Sequence, residues 1–156
     1  MSNSLRLRPT TSADEVFLRE VYASTRAEEL AAVPWPDEQK RAFTDSQFTA
    51  QDTHYRAHYP TAQFFVIEDG GTPIGRLYVD HWEREIRIMD IALLPAIRGA
   101  GIGTHLLRGL QQEALSAGKA LSIHVEKFNP ALRLYERLGF RVQEDKGIYL
   151  LMEWRG

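Results

Sequence analysis

The chain has 156 residues, of which 44% are hydrophobic and 26% are charged, and its formal net charge is -2. These values are typical of a folded globular protein and predict one domain over residues 1–156, with no nucleic-acid surface and no charged tail. Cysteine is absent, which excludes disulfides, cysteine-ligated metals and a cysteine nucleophile. No stretch has the apolar length of a signal peptide or a membrane span, so we expect a cytoplasmic protein without a membrane partner.

The first part of the sequence predicts one strand and two helices. Residues 5–9 alternate apolar and basic side chains and end at a proline, as a short strand does. Ser12 and Glu15 have the spacing of a capping box and predict the start of the first helix. The sequence "PWP" at 34–36 ends that helix, and a second helix is predicted from about Asp37 to His58.

The periodicity then changes to that of strands. Residues 63–68 and 73–79 flank the turn "DGG" and predict a hairpin, and residues 84–94 predict a long strand. A helix follows over 103–118, and Gly118 predicts its end. The leucines expected on the inner side of this helix are Leu106, Leu107, Leu110 and Leu115.

The C-terminal part predicts one more helix and three more strands. The predicted strands are 121–126, 140–145 and 148–154. The helix is predicted over 129–139, with Asn129 as its N-cap and Pro130 as its first helical residue. Together the elements predict an α+β fold with a mixed central sheet.

Three alternating glycines, Gly99, Gly101 and Gly103, lie between the long strand and the following helix. Free backbone N–H groups at a helix N-terminus bind phosphates, and glycines let the backbone approach them closely. A P-loop would need a lysine before Thr104. A dinucleotide-binding turn would need its third glycine one residue later. It would also need an acidic residue about 20 positions after the turn, and Glu126 is a weak match for that residue. The residues favour a phosphate-binding turn over a plain tight turn.

Two segments carry a resemblance to a known family. Residues 98–103, "RGAGIG", match R/Q-x-x-G-x-G/A, and "NPALRLYERLGF" at 129–140 is similar to a second family motif. These motifs and the order of the elements resemble the GCN5-related N-acetyltransferase (GNAT) superfamily over nearly the whole chain. The resemblance implies a mostly antiparallel sheet of about seven strands flanked by about four helices. It also implies acetyl-coenzyme A as the acetyl donor.

The resemblance assigns the cofactor to the glycine turn and to the strand before it. The backbone N–H groups of the turn would bind the pyrophosphate, Arg98 would position phosphate, and the strand backbone would pair with the pantetheine arm. Asn129 is expected to cap its helix, to contact coenzyme A, or both. The implied cofactor-binding residues are Ile91, Ala92, Leu93, Arg98, Gly99, Ala100, Gly101, Ile102, Gly103, Thr104 and Asn129.

Amide formation from a thioester needs a neutral amine and a proton donor for the leaving thiolate. Without cysteine, direct attack in a ternary complex is favoured over an acyl-enzyme. The resemblance implies Tyr135 as the acid, and core packing is its alternative role. Asp90 shares a strand face with apolar residues, so it is a buried base or a structural group bonded to backbone or His124, or a bulge switches the faces near it. The resemblance implies such a bulge, because this strand splays from its neighbour at the cofactor. Glu126 and His124 are further candidate proton carriers.

The acceptor is the least constrained part of the prediction. Residues 31–60 combine aromatic and acidic side chains that suit a cationic amine, although packing of helices onto the sheet also explains the aromatics. His54 and His58 lie one helical turn apart without a third ligand nearby, so no metal is expected. We predict an N-acetyltransferase acting on a small-molecule amine or a peptide, in a monomer or a homodimer. The alternatives are a non-catalytic acyl-CoA-binding sensor and a nucleotide-binding protein.

Overall fold

The structure is a computed structural model that describes residues 4–156. The strands are β1 (Leu5–Pro9), β2 (Gln63–Asp69), β3 (Thr72–His81), β4 (Glu85–Leu93), β5 (Ala120–Glu126), β6 (Arg141–Asp145) and β7 (Tyr149–Trp154). The helices are α1 (Glu15–Ala31), α2 (Asp37–His58), α3 (Ile102–Ala117) and α4 (Leu132–Arg137). Short 3-10 turns, Ser12–Asp14 and Pro95–Ile97, precede α1 and follow β4. Within 4–156, no helix is long and apolar enough to cross a membrane.

The seven strands form one sheet in the order β1-β2-β3-β4-β5-β7-β6. β4 and β5 pair in parallel, whereas β1 with β2, β5 with β7 and β6 with β7 pair antiparallel. A parallel pair needs a long crossover connection, and α3 supplies it. The predicted α+β fold with a mixed, mostly antiparallel sheet is therefore confirmed.

Among the described residues, the chain divides into two compact units. The first contains Tyr78–Asp90 and Arg98–Gly156, and the second contains the residues up to Leu77 together with Ile91–Ile97. In the second unit, one cluster of buried side chains joins α1, α2 and β2: Leu18, Tyr22, Phe48 and Val66. In the first unit, the buried apolar residues of β4 and β5 are Ile86, Ile88, Ala120, Leu121, Ile123 and Val125. The prediction of a single domain stays a prediction.

The start of α1 differs from the predicted capping box. The box is formed by Thr11 and Asp14, whose carboxylate accepts the Thr11 N–H at 2.7 Å, rather than by Ser12 and Glu15. Arg8 on β1 holds the same carboxylate in an ion pair with an N–O distance of 2.9 Å. The ion pair with Arg8 therefore favours Asp14 over Glu15 as the carboxylate of the capping box.

The inner face of α3 was predicted correctly at Leu107 and Leu110 but wrongly at Leu115, which is 57% exposed. The buried stripe continues instead through Gln111 and Ala114. The Gln111 side-chain amide donates to the Leu138 carbonyl oxygen at 2.9 Å. A polar residue is thus buried on this face because a backbone acceptor after α4 satisfies it.

The last helix is shorter than predicted, because α4 begins at Leu132 rather than at Asn129. The Asn129 side-chain oxygen accepts the N–H of Ala131 at 2.9 Å, and its carbonyl accepts the N–H of Leu132 at 3.0 Å. Asn side chains commonly hold a turn in this way, in competition with a helix. Asn129 therefore caps a turn that precedes the helix, and Pro130 lies in that turn.

Candidate functional site

The glycine turn has the backbone geometry that its sequence suggested. Gly99 and Gly101 have φ angles of 84° and 80°, and Gly101 is the left-handed N-cap of α3. No non-glycine residue of the described chain has a positive φ. Gly103 instead lies within the first turn of the helix. Two of the three glycines are therefore required by the backbone, and the third is not.

The N-terminus of α3 is open to an anion. Residues 98–101 are exposed, while Ile102 is buried and anchors the first turn. The first turn contains no acidic residue and no side-chain cap. The His105 N–H donates to the Gly101 carbonyl at 3.0 Å, so the helical bonds begin there and the preceding N–H groups lie outside the helical ladder. The positive end of the helix dipole adds to their attraction for phosphate.

The residues predicted to pair with the cofactor arm, Ile91–Leu93, form the end of β4. Gly75 on β3 lies so close to this segment that a Cβ there would stand 2.2 Å from the Ala92 carbonyl oxygen. Leu94 N–H donates to the Ile74 carbonyl oxygen at 2.9 Å. Gly75 is a site-supporting residue that our sequence reasoning missed, although a glycine inside a strand often marks such a close approach.

The parallel pairing of β4 with β5 covers only part of each strand. It runs from Glu85 opposite Ala120 to Ile88 opposite Ile123. Past that register β4 continues through Met89 and Asp90, while β5 continues to Glu126 in pairing with β7. This arrangement fits the splayed strand pair that the family resemblance implies.

Tyr135 is a buried side chain of α4, only 5% exposed. Its ring packs edge-on against Phe140 with centroids 5.6 Å apart. Burial, and secondarily the charge of Asp90, raises the pKa of the Tyr135 hydroxyl above its usual value. Tyr135 is therefore a hydrogen-bond donor near neutral pH, and its ring also has the packing role considered as the alternative.

Asp90 is half-buried and lies close enough to Tyr135 for its charge to act on that hydroxyl. Ile88 and Ala92, two residues before and after it, are both buried, whereas Met89, Asp90 and Ile91 are all half-buried. The shared parity of Ile88 and Ala92 favours regular alternation over a bulge at Asp90. The structure brings Asp90 and Tyr135 together, as two of the three predicted catalytic residues.

A polar network occupies the other face of β4 and β5. Arg87 Nε donates to Ser122 Oγ at 2.8 Å, and Arg87 Nη1 contacts His124 Nδ1 at 3.2 Å. Ser122 Oγ donates to Glu85, which also lies 3.6 Å from Arg87 Nη2. The Arg87 guanidinium lies 4.7 Å from the centre of the Trp82 ring. Our sequence reasoning missed Arg87, although "REIRIMD" alternates charged and apolar residues there.

His124 therefore contacts Arg87 and lies on the face of the sheet opposite Asp90. This position does not fit the alternative in which Asp90 forms a hydrogen bond with His124. Partial burial of the ring lowers the pKa of His124, and the positive charges of Arg87 and Lys146 lower it further. The ring is neutral at physiological pH as a result. Its side chain remains exposed.

Glu126, the third predicted catalytic residue, is half-buried at the end of β5. Strand alternation places it on the same face as Ser122 and His124. Its carbonyl oxygen accepts the Asn129 N–H at 3.0 Å, so it directly precedes the turn that opens the second motif. The three predicted catalytic residues thus divide between the two faces of the sheet.

The predicted acceptor segment is held by aromatic packing. Phe48 is buried against Tyr22, and Trp35 packs edge-on against Phe43 with centroids 5.4 Å apart. His54 and His58 stack on each other at 4.4 Å. Within the described residues, no three histidine or acidic side chains are grouped so as to hold a metal ion.

Known proteins are similar to this chain in sequence and in fold. The sequence profile of the acetyltransferase (GNAT) family matches residues 18–140. Mycothiol acetyltransferase from Corynebacterium glutamicum is 31% identical over 121 residues, which are 76% of this chain and 40% of the relative. The chain therefore spans about two fifths of the length of that relative.

Solved structures of two acetyltransferases align along almost the entire chain. PaiA N-acetyltransferase from Thermoplasma acidophilum, in complex with coenzyme A, has a TM-score of 0.74 at 18% identity, covering 100% of both chains. A GNAT family acetyltransferase from Elizabethkingia anophelis, with acetyl-CoA bound, has a TM-score of 0.63 at 17% identity, covering 99% of this chain and 100% of the other. With the family profile matching most of its length, the chain belongs to the acetyltransferase (GNAT) family.

Proposed function

We propose that this chain transfers an acetyl group from acetyl-CoA to a primary amine of a small molecule or a peptide, by direct attack in a ternary complex. The observation that carries the proposal is the glycine turn, in which Gly99 and Gly101 adopt left-handed backbone at the open N-terminus of α3. Solved relatives hold coenzyme A or acetyl-CoA, which supports the choice of cofactor. Family membership supports the acetyl group as cargo.

In this proposal the pyrophosphate of the cofactor lies on the N–H groups of Gly99–Thr104, with Arg98 beside it. The end of β4, Ile91–Leu93, pairs through its backbone with the amides of the pantetheine arm. Asn129 holds the turn that leads into α4 and so places Tyr135. Each of these contacts uses backbone groups or a phosphate-binding cation, which is why the binding residues are largely small or apolar.

The chemistry requires one bond to form and one to break. The neutral amine nitrogen attacks the thioester carbonyl carbon, the C–S bond breaks, and the amine loses a proton. The pKa of Tyr135 is raised, whereas a thiol has a pKa of about 8.5. Complete proton transfer from Tyr135 to the thiolate is therefore unfavourable. We assign Tyr135 to hydrogen-bond donation toward the developing thiolate, with burial and, secondarily, the charge of Asp90 keeping the hydroxyl protonated.

The proton of the attacking amine leaves on the opposite side in this scheme. Glu126 lies on the face of the sheet away from Asp90, at the end of β5. A carboxylate there can accept the proton through a water molecule. The hydrogen bond that Tyr135 donates to the developing thiolate and the proton that Glu126 accepts from the amine then involve different groups on different faces of the sheet.

The direct test is release of free thiol from acetyl-CoA across a panel of amines, with the acetylated product identified by mass spectrometry. The proposal predicts amine-dependent thiol release that falls in the Tyr135→Phe variant.

Two other outcomes would support the alternatives. Tight acetyl-CoA binding without thiol release for any amine, and no effect of Tyr135→Phe, would favour a non-catalytic acyl-CoA sensor. A rise in melting temperature with NAD or ATP but not with acetyl-CoA would favour a nucleotide-binding protein. Either outcome would contradict the proposed transferase.

A further inference from the structure

The Arg87 network places His124 on the face of β5 that also carries Glu126, the residue that we propose accepts the amine proton. Resting on the proposed function, we propose that His124 is a fixed hydrogen-bond donor that selects amines carrying a neighbouring carbonyl oxygen. The acceptor class would then be an amino-acid amide or a peptide N-terminus, rather than an alkylamine or a polyamine.

The contact between Arg87 and His124 determines which ring nitrogen carries the proton. A guanidinium can only donate hydrogen bonds, so the His124 Nδ1 atom, 3.2 Å from Arg87 Nη1, must be the acceptor. An imidazolium would instead direct an N–H at a cation. The ring is therefore neutral, with its proton on Nε2. This N–H is directed away from Arg87 and can donate to a ligand.

Arg87 is itself held in place, which makes the tautomer a fixed property of the site. Its side chain is only 11% exposed. Ser122 accepts from Nε at 2.8 Å, Glu85 lies 3.6 Å from Nη2, and the Trp82 ring covers the guanidinium. A cation held by this many partners orients His124 at little further cost in side-chain entropy.

His124 and Glu126 together fit an amine with an adjacent oxygen. They lie two residues apart on one strand face, a separation of about 6.6 Å. The Nε2–H of His124 recognises an oxygen atom, while Glu126 accepts the amine proton. The second ammonium group of a polyamine carries only N–H donors, so it cannot accept a hydrogen bond from His124 Nε2–H.

The charges around His124 favour an oxygen acceptor over a second ammonium group. Arg87 and Glu85 act on it from β4, and Glu144 and Lys146 act on it from β6 and the following turn. The positive charges of Arg87 and Lys146 act on the ring more strongly than the negative charges of Glu144 and Glu85. We therefore expect an amine with a neighbouring carbonyl to be a better acceptor than a polyamine.

Two probe amines that differ in one carboxamide test the inference by kinetics. Phenylalaninamide and 2-phenylethylamine share the ring and the primary amine, but the carboxamide also lowers the pKa of the amine, so each kcat/KM is calculated for the concentration of neutral amine. On that basis we expect kcat/KM to favour the amide about 10-fold, the contribution of one good hydrogen bond. His124→Phe should abolish this preference, and His124→Gln, whose amide still donates, should retain most of it. An unchanged preference in His124→Phe would overturn the inference.

The tautomer is measured separately by long-range ¹H–¹⁵N NMR of the imidazole nitrogens. We expect the proton on Nε2 at pH 7, and we expect Arg87→Met to raise the pKa of His124 and populate both tautomers. Arg84→Met, a cation in the turn before β4, is the control and should leave the His124 signals unchanged. A proton on Nδ1, or an imidazolium at pH 7, in the unmodified chain would overturn the inference.

The same probes distinguish failure of this inference from failure of the proposed function. If neither amine is acetylated, nor any other amine of the panel, the proposed function fails. Titration of the two probes onto the ¹⁵N-labelled chain with acetyl-CoA then decides the inference. Phenylalaninamide must shift the His124 Nε2 signal and 2-phenylethylamine must not; equal shifts, or none, would refute it.

Discussion

Replacing Gly101 by alanine tests the phosphate-binding turn, provided that the backbone strain of the substitution is separated from its effect on the ligand. Gly101 has φ 80° and ψ 7°, a conformation that costs an alanine about 1–2 kcal/mol. Gly118, at the other end of the same helix, has φ 67° and ψ 33°, and a Cβ there meets nothing within 4 Å. Gly118→Ala therefore carries a similar strain without approaching the proposed cofactor.

We expect both variants to lose about 1–2 kcal/mol of unfolding free energy in urea, because the strain is similar. Only Gly101→Ala should weaken binding of coenzyme A, at least 10-fold in isothermal titration calorimetry, because a side chain in the proposed pyrophosphate-binding turn would keep the phosphate from approaching the backbone N–H groups. Equal losses of affinity in the two variants would show that strain alone explains the effect. Undiminished affinity in Gly101→Ala would refute the assignment of the turn.

Three further predictions follow from the contacts of single residues. Gly75→Ala, which places a Cβ 2.2 Å from the Ala92 carbonyl oxygen, should lower the free energy of unfolding in urea by about 1–3 kcal/mol. Gly109→Ala, in open space on α3, is the control and should raise it by up to about 1 kcal/mol. An unchanged free energy of unfolding in Gly75→Ala would contradict the close approach of β3 and β4. Tyr135→Phe should lower kcat roughly 100-fold in the thiol assay with little change in KM, and an unchanged kcat would remove Tyr135 from the chemistry. Arg8 and the Thr11 N–H hold the pKa of Asp14 at about 2, below its ordinary 3.8, so this carboxylate contributes stability above pH 4 that disappears as the pH falls through about 2. Asp14→Asn should thus cost about 2 kcal/mol at pH 7 and almost nothing at pH 2, and a cost independent of pH would refute the ion pair.

The order and type of the elements were predictable because they depend on local signals. The end of α3 at Gly118, the start of α2 at Asp37 and the turn between β6 and β7 at Gly147 all follow from residues adjacent in sequence. The glycine turn was predictable for the same reason, since Gly99 and Gly101 supply the left-handed backbone that the turn requires.

The remaining features depend on partners that are distant in sequence. Arg8 holds Asp14 in the capping box of the 3-10 turn before α1, and the Leu138 carbonyl allows Gln111 to be buried where an apolar residue is expected. Gly75 is required by the backbone of β4, which follows it only after a turn and another strand segment. Arg87 meets His124 only through the parallel register of β4 and β5. Sequence periodicity carries no information about such pairs.

The backbone amides of the glycine turn offer the most direct test of the central claim, that this turn binds the pyrophosphate of acetyl-CoA. The measurement is a ¹H–¹⁵N NMR titration of the labelled chain with acetyl-CoA. The account predicts that the largest changes occur at the amides of Gly99 to Thr104, because phosphate oxygens accept hydrogen bonds from those N–H groups. Saturable binding that leaves these amides unmoved would contradict it.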